Sequence, residues 1–296
     1  MSVTLEQVVK VLENLYPLEY AESWDEPGLI VGDPHWPVRK IYCAVDPTDD
    51  TVQAAIDSGA QLLITHHPLY FRATHTIAGT TFRGALVTKL IEHKCALWVG
   101  HTNVDSAKRG QGVAFIEALG LSDLGPLVPI KIAEDKKTFS QGTTNELGIG
   151  LGVGLGVGIG RIGELAIATP LHEFAKRVAA ALPATKSGIL VSGNPSRLIR
   201  RVAVLPGSGD SEINAAASCG ADVYVTSDLR HHPVLDARQE TGMAFINTPH
   251  AAIEKLAFNL MKIDVPQALC EEYGEEGRSV ELEITDINTD PWNERV

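Results

Sequence analysis

The chain has 296 residues, 44% of them hydrophobic, with 25 Lys and Arg against 37 Asp and Glu for a formal net charge of -12 at pH 7. That apolar content fills the core of one large α/β unit or two modest lobes and excludes a disordered chain. The acidic balance excludes a nucleic-acid backbone as the main partner, because phosphates need a clustered positive surface.

Thr4 and Gln7 stand at capping-box spacing, and Leu5, Val8, Val9, Leu12 and Leu15 share one face, so the chain opens on a helix over Thr4 to Leu15. No basic stretch followed by an apolar run precedes it, so no signal peptide is expected. Trp24 to Gly32 combines an aromatic, two carboxylates and two glycines, which reads either as a turn around a packed tryptophan or as a cleft wall. Apolar runs predict strands over Lys40 to Val45, Gln61 to Thr65 and Ala96 to Gly100, with helices over Thr51 to Ser58 and Gly84 to Lys94 between them.

Residues 122–196 read as a connector packed on the lobes, with a helix over Leu171 to Ala181. The Gly/apolar alternation from Gly148 to Gly160 has neither GxGxxG spacing after a strand nor a Gly-Lys-Ser/Thr ending. It therefore reads as an extended edge or flexible segment, in preference to a nucleotide loop. It is also too short and too rich in glycine to span a bilayer, and no membrane segment is predicted.

Residues 197–296 repeat the plan of residues 1–121. Strands are predicted over Arg201 to Leu205, Asp222 to Thr226 and Ala244 to Asn247, a helix over Asp210 to Ser218, and a helix from Pro249 to Met261. Ala55 to Ala60 is echoed by Ala216 to Ala221, and each half carries a His-His-Pro, at His66 to Pro68 and His231 to Pro233. The expected fold is α/β, with two related lobes of mixed sheets flanked by helices and a metal cleft between them. Cys43, Cys95, Cys219 and Cys270 form no CxxC pair and suit reduced residues of a cytoplasmic protein.

Ligands in open α/β sheets gather at the carboxyl ends of strands, and four polar clusters stand at such ends. His66 and His67 leave one strand together, and imidazole is the commonest ligand for a borderline divalent ion. Asp105 follows another strand and offers a hard oxygen, with His101 and Asn103 placed to orient it. His250 and Glu254 lie four apart and project from one helix face. Asp228, His231 and His232 form the fourth cluster, read as a pocket wall in which Asp228 holds a histidine tautomer or transfers a proton. Singly, Asp105 would be a helix cap and His250 with Glu254 a solvated surface pair; their number favours a metal cleft. No Gly-x-Ser-x-Gly elbow is present, so covalent catalysis is the weaker enzymatic reading.

Trp24-Asp25 with Gly28-Leu29, His66-His67-Pro68, His101-Thr102-Asn103 with Asp105, Gly207-Ser208-Gly209, Asp228 with His231-His232, and His250 with Glu254 occur in the order of the Ngg-interacting factor three-like family. The chain resembles that family over nearly its whole length. Bacterial members commonly carry the name GTP cyclohydrolase type 2 homologue. The resemblance implies a dinuclear site on His66, His67, Asp105, His250 and Glu254, with Glu254 bridging, in a toroidal homohexamer. Glu26-Pro27 departs from the family's Asn and small or apolar residue, and Pro249-His250-Ala251 from its Gly-His-Tyr or Gly-His-Phe style. The short connector implies the compact architecture, without an additional middle domain.

Two divalent ions per chain are thus expected, with zinc, iron, manganese and nickel all suited to the mixed nitrogen and oxygen donors. The residues suit hydrolysis of a phosphate ester, amide or purine-ring carbon in a small, nucleotide-like molecule, with His101, Asp228 and His231 as proton-transfer candidates. The rival is a non-catalytic metal-binding scaffold or protein-interaction factor.

Overall fold

The structure, a computed structural model, describes residues 2–130 and 156–296. The first part of the glycine alternation lies outside the described residues.

The first stretch runs α1 (Leu5–Leu15), β1 (Gly28–Val31), β2 (Lys40–Ala44), α2 (Asp49–Asp57), β3 (Leu62–Thr65), α3 (Phe82–Glu92), β4 (Ala96–Val99), α4 (Thr102–Ser106) and α5 (Gln111–Ala118). Next come β5 (Ser122–Gly125), β6 (Val128–Pro129), β7 (Gly158–Ile159), β8 (Arg161–Pro170), α6 (Leu171–Ala181), β9 (Leu190–Ser192) and β10 (Leu198–Ser208). The last stretch is α7 (Ile213–Ser218), β11 (Val223–Ser227), α8 (His231–Thr241), β12 (Ala244–Thr248), α9 (His250–Glu254), α10 (Ala257–Arg278) and β13 (Glu281–Ile284).

Two mixed sheets result. One has the order β1-β4-β3-β2-β13 and the other β5-β8-β10-β11-β12-β9. In each, three consecutive strands run parallel, β2 to β4 in the first and β10 to β12 in the second. Their residues are buried on both faces because helices cover both. Ile41 and Cys43 face α1 and α10, while Tyr42 and Ala44 face α2 and α3. Val202 and Val204 face α5, α6 and α9, while Ala203 and Leu205 face α7 and α8.

Local chemistry explains the ends of several elements. Thr4 and Gln7 make the predicted capping box, worth about 1 kcal/mol, with Gln7 Oε1 accepting from Thr4 N at 2.8 Å. The echo between Ala55 to Ala60 and Ala216 to Ala221 is a shared helix exit. Gly59 and Gly220 take φ of 77° and 72°, and Ala60 N and Ala221 N reach back to Ala55 O and Ala216 O at 3.1 and 3.2 Å. Glycine supplies the left-handed backbone that lets the chain turn directly into the next strand.

The strands are not shared out along the expected boundaries at 121 and 196. β5, β8 and β9 join the second sheet, with β8 paired antiparallel to β10 from Leu198↔Pro170 to Val204↔Arg161. Three strands from the expected connector thus complete a sheet whose edges would otherwise be open. The C-terminus returns to the first sheet, where β13 pairs parallel with β2. Phe258, Met261, Val265 and Leu269 bring α10 into the same core as α1.

The helix predicted from Pro249 to Met261 is two helices, α9 and α10, and the second continues to Arg278. Pro249 precedes α9 in extended conformation (φ -61°, ψ 131°) and does not sit in its first turn. The helix predicted from Asp210 begins as a 3-10 turn, Asp210–Glu212. Among the described residues no helix is long and apolar enough to cross a membrane.

Candidate metal centre

The carboxyl ends of the parallel strands from both sheets open onto one cavity of about 980 Å³. β2 delivers Asp46, β3 delivers His66 and His67, and β4 delivers His101. β10 brings Gly207, β11 brings Asp228, and β12 leads through Pro249 to His250, with Glu254 one turn further along α9.

The turn after β3 is fixed by its backbone. His66 N and His67 N donate to Ala44 O and Val45 O at 3.3 and 2.9 Å, and Thr65 Oγ1 donates to His67 O at 2.8 Å. After β4, Asn103 Oδ1 accepts from His101 N at 3.0 Å, while its amide donates to Tyr16 O at 2.8 Å. Both imidazole-bearing turns are therefore set before any ligand arrives.

Glu254 lies at the centre. Its Oε1 is 2.9 Å from His250 Nε2 and 3.4 Å from His66 Nε2, and its Oε2 is 3.1 Å from His67 Nε2. Asp105 Oδ1 stands 3.7 Å from His66 Nε2. Donor atoms of His66, His67 and His101 lie within 4.8 Å of one another, as do those of His67, His250 and Glu254. His67 belongs to both groups.

Each imidazole faces an acceptor through Nδ1. Gly100 O is 2.8 Å from His66, Asp46 Oδ1 2.6 Å from His67, Asp228 Oδ2 2.6 Å from His250 and Asp25 Oδ2 3.0 Å from His101. Such partners fix tautomer and ring angle, leave Nε2 free for a ligand's role and raise its basicity. Asp25 is itself held by Thr102, whose N and Oγ1 donate to Oδ2 at 3.1 and 2.6 Å. Asp228 adopts φ 56°, a left-handed backbone that aspartate tolerates better than most residues.

Gly207 touches the centre with its backbone. At φ +83° it sits where an added Cβ would lie 2.5 Å from Glu254 Oε1 and 3.6 Å from His250 Nε2. Only glycine lets β10 pass this close to the carboxylate.

The electrostatics show what the cluster lacks. Burial would raise Glu254, but the imidazoles of His66 and His67 and a hydrogen bond from His250 hold its carboxyl well below the usual range. Burial and the Glu254 charge together push Asp105 well above it. Burial drives His66 down. Burial would also lower His67 and His250, but Glu254 with Asp46 raises the first to about 10, and Glu254 with Asp228 raises the second to about 9. Glu254 and the half-buried Asp105 are thus close enough to disfavour each other's charge, and Asp105 Oδ1 has no hydrogen-bond partner among the described residues. A divalent cation would supply that partner and offset the carboxylates' repulsion, and imidazole with carboxylate is a donor set that suits one.

The structure thus brings together His66, His67, His101, Asp105, His250 and Glu254, with Asp228 behind His250. His101 stands among the other imidazoles, so geometry gives it a ligand's position as well as a proton carrier's. His231 is placed elsewhere, at the start of α8, edge-on to His232 and lining a smaller cavity with Leu229, Leu235 and Phe245. Of the two readings of the Trp24 segment, Trp24 itself takes the cleft wall, while Asp25 sits behind His101. Asp46, Phe71, Thr289 and Trp292 also line the cavity and went unremarked in the sequence. Asp46, directly after β2, carried the same strand-end signal as His66. The other three carried none.

Residues 3–291 match the family described as Duf34/NIF3 (NGG1p interacting factor 3). A Streptomyces coelicolor protein named GTP cyclohydrolase 1 type 2 homolog is 38% identical over 292 residues, covering 99% of this chain and 94% of its own. A Mycobacterium leprae protein of the same name is 31% identical, with 99% of this chain and 96% of its own covered. That alignment runs over 378 positions against the 296 residues here, so the relative carries segments this chain lacks. Among solved structures, a Bacillus cereus protein related to NIF3 superposes with a TM-score of 0.80 at 26% identity, covering 98% of this chain and 99% of its own.

Proposed function

Since the chain belongs to the Duf34/NIF3 family, we propose that it is a metal-dependent hydrolase that binds two divalent ions on His66, His67, Asp105, His250 and Glu254. The observation that carries this reading is the convergence of three imidazoles, His66, His67 and His250, on the buried Glu254 carboxylate, each backed through Nδ1 by an outer acceptor, with Asp105 beside His66. Glu254 contacts three imidazoles with its two oxygens and would be among the residues that hold the ions.

Divalent ions so held supply Lewis acidity and lower the pKa of water. The chain's own residues do the rest. Asp46 and Asp228 fix the rings of His67 and His250. Asp25, kept below its ordinary range by His101 and Thr102 against the effect of burial, holds the His101 ring at the cavity wall. From there His101 can take or give a proton, which is the role assigned to it here. The relatives' name, GTP cyclohydrolase 1 type 2 homolog, fits attack by water on a ring carbon, and a phosphate ester or amide suits the same residues. Assembly as a toroidal homohexamer belongs to the same proposal and is read by sedimentation.

The test is metal content per chain by plasma mass spectrometry, on protein purified without chelator or added metal, beside an Asp105→Ala plus Glu254→Ala variant. About two ions per wild-type chain, lost in the variant, support the reading. No metal in either, even after reconstitution, removes it and moves a metal-free scaffold into its place.

A further inference from the structure

The cavity wall carries a charge pattern that the relatives' name does not lead one to expect. Among its described lining residues there is no lysine or arginine, while Asp46, Asp105, Asp228, Glu254 and Asp290 all contribute carboxylates. Sites that take a nucleoside triphosphate grip it with Lys, Arg or a loop of backbone N–H groups, because its charge is spread over many oxygens. Here a triphosphate tail would meet acidic side chains beyond the metal centre.

The same wall carries aromatic surface. Trp24 and Phe71 are 55% and 59% exposed and stack with ring centroids 5.8 Å apart and planes 15° from parallel. Both present their faces or edges to His101, at 5.8 and 5.6 Å. Trp292, 70% exposed, lines the same cavity from the C-terminal tail. Open aromatic faces beside a polar centre are the usual platform for a flat ring, which gains stacking and loses water there. His101 in turn lies 5.2 Å from His66, centroid to centroid, so the aromatic platform adjoins the candidate ligand residues.

We propose that the substrate is a planar heteroaromatic compound of little negative charge, stacked on Trp24 and Phe71, and not a nucleoside triphosphate. This rests on the metal-dependent hydrolase reading for its chemistry. The ring site itself is built from residues outside the ligand set.

Equilibrium dialysis of the full chain, zinc-loaded and chelator-treated, against guanosine and GTP and against adenosine and ATP tests the proposal. At least one nucleoside is expected to bind both forms, and its triphosphate to bind the chelator-treated form at least about tenfold more weakly. Trp24→Ala and Phe71→Ala are each expected to weaken nucleoside binding about tenfold or more, with an unchanged circular dichroism spectrum because both side chains are more than half exposed. Binding of neither nucleoside, a triphosphate bound to the chelator-treated chain as tightly as its nucleoside, or nucleoside binding untouched by both variants would overturn it. Metal content measured alongside keeps the two readings apart: a chain that retains no zinc yet binds a nucleoside loses the hydrolase reading and keeps the ring site.

Discussion

The hydroxyl of Thr289, in the tail after β13, donates to Asp46, 243 positions earlier in the chain. The other oxygen of Asp46 is the one that faces His67 Nδ1 at 2.6 Å. Ser187 Oγ donates to Asp290 Oδ2 at 3.2 Å, so the tail is tied to both sides of the cavity. The C-terminal segment thereby helps set the angle of the His67 imidazole.

Asp46→Ala should lower metal affinity about 10- to 100-fold, the range found for carboxylates that back a ligating histidine. Thr289→Val should lower it less, because Asp46 keeps its contact with His67. Competition against a chromophoric chelator measures both, and an Asp46→Ala affinity equal to the wild type would show that His67 needs no backing.

Gly207→Ala places a methyl group 2.5 Å from Glu254 Oε1 on a backbone at φ +83°. Strain and collision add, and the expected loss is about 1–3 kcal/mol in denaturant unfolding. Metal content should fall with it, because Glu254 must move. Full stability with full metal content would mean that β10 shifts away freely.

The metal-free chain should lose stability as pH rises. His67 and His250 are held above the ordinary 6.5, at about 10 and about 9, and their Nε2 atoms lie 3.2 Å apart, so they titrate as a coupled pair. A folded-state value above the unfolded one means that protonation favours folding. That contribution is complete below about pH 6.5 and disappears as pH climbs through 9 to 10. In metal-loaded protein the ion takes the proton's place, and the loss should be absent. Melting temperatures of chelator-treated and metal-loaded protein between pH 6 and 10 check this; parallel curves for the two forms contradict it.

His231→Ala should leave metal content unchanged, since His231 lines the smaller cavity beside Leu229 and Phe245. His250→Ala should reduce it sharply, because it removes a donor 2.9 Å from Glu254 and leaves Asp228 without its imidazole. Equal losses in the two variants would bring His231 into the centre.

Much of this protein was legible in local sequence. Thr4 and Gln7 announced the first cap, because a capping box needs only neighbours three residues apart. Continuous apolar runs located β2, β3, β4, β11 and β12 to within a residue or two, since residues buried on both sides leave no polar interruption. His250 and Glu254 met on one face of α9 because 3.6 residues per turn fixes that geometry whatever surrounds it. The strand-end rule likewise marked His66, His67, His101 and Asp228.

What the tertiary structure decided has one physical cause: contacts between residues far apart in sequence depend on sheet order and helix packing, which no local period encodes. The His67 to His250 contact spans 183 residues and exists only because the strand ends of both sheets meet at one cavity. β13 finds β2 across the whole chain, and the tail that follows it brings Thr289 to Asp46. His231 shared the His-His-Pro signature of His66 but is carried by α8 to another cavity, because three further residues after β11 turn it away from the strand end. The sequence alone determined which side chains were equipped for metal chemistry, and the packing of the two sheets determined which of them meet.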